Sequence, residues 1–208
     1  GYAVVCSHRQ LPNNRKCGGG LMSFMLLGIL NSQAAGGGAV GDYNLLETTD
    51  LTSSASSVTF SGIDQNYKHL QIRMVTRSSQ TGVDSDQIVL RYNATGGSNY
   101  SFHYLQGNGS GVSSSGFSPD SSSNLTNTTA ANAPTGAFGA SVFDILDFSS
   151  SVKNTTHRGL TGFIANTTKN IKLSSGAFFQ TAPVTSITII NQSFSFVAGS
   201  RFSLYGSK

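Results

Sequence analysis

The side chains of this 208-residue chain with the most obvious acid–base, metal-binding or nucleophilic chemistry are four histidines, nine acids and two cysteines. His8, His69, His103 and His157 stand far apart and share no metal-ligand spacing, so each reads as a surface or strand-face imidazole. Among the acids Asp84 with Asp86 and Asp144 with Asp147 are the close neighbours in the body that bear on acid–base chemistry. Glycoside hydrolysis needs two carboxylates roughly 5–10 Å apart across a cleft. In strand register Asp144 and Asp147 point to opposite faces, because side chains alternate with period two. Asp84 and Asp86 share a face, but Gly-Val-Asp-Ser-Asp reads as a solvated turn. No Gly-x-Ser-x-Gly elbow occurs, and the Gly-rich stretches lack the strand-to-helix setting of a phosphate-binding loop. The expectation is a chain that is not an enzyme, with no catalytic residue, cofactor or metal.

The elements that would position such groups are strands. Charged residues make up only 11% of the chain and Glu47 is its single glutamate, so an exposed polar surface must be built from Ser, Thr, Asn, Gln and Gly. That palette suits strands and turns, whereas amphipathic helices draw on Glu, Lys, Ala and Leu. From Tyr43 onward apolar residues recur with period two, the mark of strands with one buried face. Val58 and Phe60 show it, as do Leu70, Ile72 and Met74, then Ile88, Leu90 and Tyr92, and more weakly Phe102 and Tyr104. Phe138, Ala140 and Val142 lead into Phe143, Ile145 and Phe148 with a change of phase near Val142, which predicts a bulge or a strand buried on both faces. Further candidates are Leu160 to Ile164, Ile171 with Leu173, Phe178 with Phe179, Val184 to Ile189, and Phe202 to Tyr205. Eight to ten such strands predict an all-β, antiparallel β-sandwich, jelly-roll-like, with an extended N-terminal arm. Residues 107–135, almost entirely Gly, Ser, Asn, Thr and Ala, read instead as a long loop held by outside contacts.

The first forty residues have a different character. Arg9, Arg15 and Lys16 supply three of the four net positive charges, and no acid accompanies them. Cys6 and Cys17 lie in the same leader; they can close a small loop in an oxidising compartment or stay as two thiols in a cytosol. A ten-residue apolar run follows, carried by Leu21, Met22, Phe24, Met25, Leu26, Leu27, Ile29 and Leu30, and then the small-residue pattern Asn31-Ser32-Gln33-Ala34-Ala35. This has the shape of a secretory signal, and it is too short for a membrane span, which needs about 20 apolar residues. The preferred reading is an arm whose apolar run is buried on a partner, the alternative being a fold-back onto its own domain. Gly36-Gly37-Gly38-Ala39-Val40-Gly41 reads as a hinge. The expected division is an arm over residues 1–41 and a sandwich over residues 42–208. No Lys/Arg stripe interleaved with aromatics marks the body, so no nucleic-acid partner is expected, nor a membrane.

Three stretches of the body carry a likeness: Val58-Thr59-Phe60-Ser61-Gly62-Ile63 running through Tyr67 to Arg73; Arg91-Tyr92-Asn93 with Gly97 to Leu105; and Gly199-Ser200-Arg201-Phe202-Ser203-Leu204-Tyr205-Gly206. Together with Leu26 to Ala35 they resemble small virion structural proteins of tailed, cyanophage-like bacteriophages, over most of residues 22–208. Residues 1–21 depart from that pattern. The resemblance implies a virion component of the capsid decoration or cement type, on the particle's head surface, with the phage major capsid protein or other virion proteins as partners. Local threefold positions on such a head make a homotrimer the expected oligomer. The second reading is a tail-fibre or receptor-binding protein that faces a host surface glycan, and the third a polysaccharide-degrading enzyme.

Overall fold

The computed structural model describes residues 43–208. The arm residues Leu21, Met22, Phe24, Met25, Leu26, Leu27, Ile29 and Leu30 lie outside the described residues, as do Cys6, Cys17 and His8. Within residues 43–208 the chain forms twelve strands in two antiparallel sheets.

The strands are β1 (Asn44–Asp50), β2 (Ser57–Ser61), β3 (His69–Thr76), β4 (Ser85–Tyr92), β5 (Tyr100–Gly107), β6 (Val112–Asp120), β7 (Ser123–Thr129), β8 (Gly139–Leu146), β9 (Thr155–Ile164), β10 (Lys169–Phe178), β11 (Ser186–Asn191) and β12 (Arg201–Ser207). The large sheet runs β1-β12-β3-β8-β9-β10-β5-β6 and the small one β2-β11-β4-β7. The hairpins β5–β6 and β9–β10 widen the large sheet. Without them the chain passes β1, β2, β3, β4, β7, β8, β11, β12 and leaves two four-stranded sheets. The all-β sandwich-like architecture expected from periodicity is therefore the one adopted.

Alternation dictates the core. In β3, Leu70, Ile72 and Met74 point inward while Arg73 and Val75 point out. Phe60, Leu90, Ile187, Ile189 and Phe202 join them at full burial. Each such side chain removed from water contributes roughly 1.5–3 kcal/mol. Tyr92 and Tyr100 end this core with a polar tip each: the Tyr100 hydroxyl accepts from the Tyr92 amide at 2.8 Å and donates to the Thr95 carbonyl at 3.0 Å. Asn93 follows in the left-handed region, a conformation asparagine tolerates better than most residues. Its side chain accepts from the amides of Thr185 and Ser186 and donates to the Pro183 carbonyl, which fastens the end of β4 to the start of β11.

Two expectations change. Residues 107–135 are not a loop: they contain β6 and β7, and β7 is nearly all buried although Leu125 is its only apolar residue. The connection beyond β7 is held from within the chain by Arg77, whose guanidinium donates to the carbonyls of Pro134, Ala137, Ala131 and Ala133. Strand β8 is neither bulged nor buried on both faces; Phe143 and Ile145 point in, and Val142 stays 41% exposed on the other side.

Candidate functional site

Two places could carry function, one inside the sandwich and one outside it. Inside, β7 packs across β10, β9, β5 and β8, and the layer between them is polar. His157, 3% exposed, is held between the Tyr92 hydroxyl (3.1 Å to Nδ1) and the Ser123 hydroxyl (2.8 Å to Nε2). Burial favours the neutral ring, which can donate through one nitrogen and accept through the other, and pushes its pKa down to about 4. Lys172, 2% exposed, donates to the side-chain carbonyls of Asn124 at 3.2 Å and Asn127 at 3.1 Å, and its ammonium lies 4.0 Å from the centre of the Tyr104 ring. Desolvation lowers its pKa to about 8. In β7 the register skips Leu125, and this irregularity turns asparagines three apart onto one side. A chain of hydroxyls continues the layer, Thr126 donating to Thr161 at 2.5 Å and Thr161 to Ser141 at 3.0 Å. His157, Lys172, Ser123, Asn124, Thr126, Thr161 and Ser141 are all buried, and their hydrogen bonds tie β7 to the large sheet.

The members of the two close carboxylate pairs have separate partners. Asp144 accepts from Gln71 at 2.9 Å and pairs with Arg158 at 3.4 Å, whereas Asp147 pairs with Lys153 at 2.8 Å. Lys153 holds the Asp147 carboxyl below its ordinary range. Asp86 is not in a solvated turn but buried in β4, accepting from the Ser78 hydroxyl at 2.7 Å. Asp84 faces solvent and accepts from Thr167 and Thr168, whose hydrogen bonds lower its pKa. Of the two settings expected for His157, surface or strand face, it takes the strand face, on the buried side of β9. Nothing in the sequence flags it, because a histidine at an inward position of a Thr- and Gly-rich strand carries no apolar periodicity around it.

The outer face of the large sheet is the second place, and it inverts the usual pattern. In β10, Lys172 and Ser174 point into the sandwich while Ile171 and Leu173 stand 59% and 58% exposed. In β9, Thr155, His157 and Thr161 point in while Leu160 and Ile164 stand 50% and 66% exposed. The apolar alternation that predicts strands here is correct, but its buried side is the opposite one. A one-residue change of phase exchanges the two faces, and period two alone does not say which is inside.

Pairing register aligns these residues into rows across the strands. Leu105 of β5 faces Leu173, Leu173 faces Leu160, and Leu160 faces Val142. The adjacent row runs from Gly107 through Ile171, Gly162 and Ala140 to Val75. On the other flank lie His103, Ser175, Arg158 and Asp144. Gly162 leaves open space above the sheet where a side chain would stand. Two shallow hollows, of about 520 and 590 Å³, flank Leu160 on this surface. The result is an exposed apolar field with a charged border, and contiguous apolar surface of this kind is uncommon on an uncovered face. Among known proteins, no family model, no curated protein and no solved structure matches this chain.

Proposed function

We propose that the chain is a non-enzymatic structural protein of a tailed-phage particle, a decoration or cement protein of the head, whose large-sheet face mates with another protein of the shell. The observation that carries this reading is the exposed apolar field on β5, β8, β9 and β10. A soluble monomer rarely keeps a contiguous apolar patch beyond a few hundred Å² in water, and a larger one marks an interaction site. The resemblance of residues 58–73, 91–105 and 199–206 to phage virion proteins supplies the particle. The eight-strand frame left by removing the β5–β6 and β9–β10 hairpins supports a jelly-roll reading of the sandwich. On this reading the partners are the major capsid protein and copies of the chain itself, with the apolar arm of residues 21–30 as a second attachment.

The test is copy number. Quantitative mass spectrometry of purified particles is expected to find the chain in fixed ratio to the major capsid protein, and density of intact particles to place it on the head. A handful of copies at the tail tip would replace the cement reading with the tail-fibre one, and absence from the particle would overturn both. The tail-fibre reading has one feature in its favour: the β5–β6 ribbon holds Ser113, Ser114, Ser115 and Phe117 in solvent, a set able to hydrogen-bond and stack on a host glycan.

A further inference from the structure

We infer that the occupant of the outer face is a second copy of this chain, packed sheet against sheet about a twofold axis that runs along the strands between β9 and β10. The inference rests on the reading of this face as an assembly surface and names its partner.

The apolar row is symmetric about the line between β9 and β10. Leu105 and Leu173 lie on one side of the β9–β10 line, and Leu160 and Val142 on the other. A twofold axis along that line exchanges β9 with β10 and β8 with β5. Leu173 then meets Leu160 of the second copy, and Leu105 meets Val142, so apolar side chains face each other throughout the row. In the next row Ile171 comes over Gly162, where the structure leaves room for it. On the flank His103 comes over Asp144, placing an imidazole donor against a carboxylate. An isologous contact demands this kind of self-match, since every patch must suit its own image. Packed sheets keep their strands within about 30° of each other, so the match holds best near the axis.

Area points the same way. Four strands at ~4.8 Å spacing, two of them ten residues long at ~3.3 Å per residue, present a rectangle on the order of 600 Å² in projection. That is close to the ~800 Å² each partner contributes to an interface of standard size. On β8 the outward Ala140, Val142 and Leu146 alternate with the buried Phe143 and Ile145, and a second copy would bury the face that solvent now covers.

The experiment is sedimentation equilibrium on the full chain, with Leu160→Lys and Leu173→Lys beside it. The expected mass is twice that of the chain, falling to the single-chain mass in both variants with circular dichroism unchanged. Should the lysine variants misfold, Cys6→Ser/Cys17→Ser chains carrying Leu160→Cys or Leu173→Cys serve instead. An equimolar mixture of the two is expected to give several-fold more covalent dimer than either alone. Equal yields, a trimer mass, or a single-chain mass at all concentrations would overturn the inference. Incorporation into particles separates the two levels. A monomeric chain whose Leu160→Lys variant is lost from particles sinks the self-pairing and keeps the assembly surface, whereas a variant incorporated like the parent sinks the surface itself.

Discussion

On the side of β2, β11, β4, β3 and β12 the interior is made of Phe60, Ile72, Leu90, Ile187, Ile189 and Phe202, all fully buried. Where β7 crosses β8, β9 and β10 it is made of His157, Lys172, Ser123, Asn124, Thr126 and Thr161. Both regions exclude water, but by different means. The first needs only shape, because dispersion and apolar burial have no direction. The second needs each donor to find an acceptor, because a buried polar group without a partner costs about 1–3 kcal/mol. Strands β9 and β10, which floor the polar region, place their large aliphatic side chains on the outer face instead. One sheet is thus packed by apolar side chains on its inside at one end and carries its aliphatic side chains exposed on its outside at the other.

The largest break of this comparison is expected in the apolar region. Phe202→Ala removes a fully buried ring that packs edge-to-face on Phe196 at 4.9 Å, and should cost about 3–5 kcal/mol in urea unfolding. A loss no larger than that of a surface substitution would mean that the apolar half does not anchor the fold.

The polar region should respond to pH where the apolar one does not. In the unfolded chain the His157 imidazole takes its proton near pH 6.5, but in the folded protein only near pH 4. Between those values the unfolded state binds the extra proton, so stability falls as pH drops through the window and levels off below it. The loss is on the order of 3 kcal/mol, since one pKa unit corresponds to about 1.4 kcal/mol. Comparing melting at pH 7 and pH 4 checks it, with His157→Gln expected to flatten the difference.

Lys172 sharpens the same point from the alkaline side. The unfolded chain holds its proton up to about pH 10.5, whereas the folded protein releases it near pH 8. Stability therefore rises as pH climbs from 8 toward 10.5, by up to about 3 kcal/mol. Tyr92 and Tyr100, whose phenols burial pushes up, oppose the gain once pH passes about 10. The net rise is accordingly smaller than the acid loss at His157. Its checking measurement is the melting temperature at pH 7.5 and 9.5, with Lys172→Met expected to abolish the rise.

These regions differ in the same way in what the sequence discloses. Strands β2, β3, β4, β11 and β12 are legible because their apolar residues alternate and point to the core. Strand β7 reads as loop because its partners across the sandwich are polar, so Thr and Asn serve where Val and Ile would otherwise signal burial. In β6 every residue through Pro119 is exposed, which leaves periodicity no burial to record. Strand β1, Asn-Leu-Leu-Glu-Thr-Thr-Asp, has no clean alternation, its register being shifted between Leu45 and Glu47. The candidate surface was half legible: Leu160, Ile171 and Leu173 mark strands, but the position of the buried Lys172 between Asn124 and Asn127 reveals which face is inside.

The smallest effect is expected where the exposed apolar residues are most numerous. Leu173→Ser removes an isobutyl group that is 58% exposed and touches little of the core, so at concentrations where the chain sediments as single copies its stability should change by less than about 0.5 kcal/mol. A serine also keeps a residue compatible with the middle of a strand, because it alters neither the pairing register with Leu105 and Leu160 nor the inward Lys172. The same substitution at higher concentration should lower the melting temperature relative to the parent, since a self-paired folded state is stabilised by mass action and the variant is not. Denaturation at two concentrations a hundredfold apart separates the cases. A Leu173→Ser cost that is large and equal at both would show that this side chain supports its own fold, and the outer face would then belong to the core rather than to a partner.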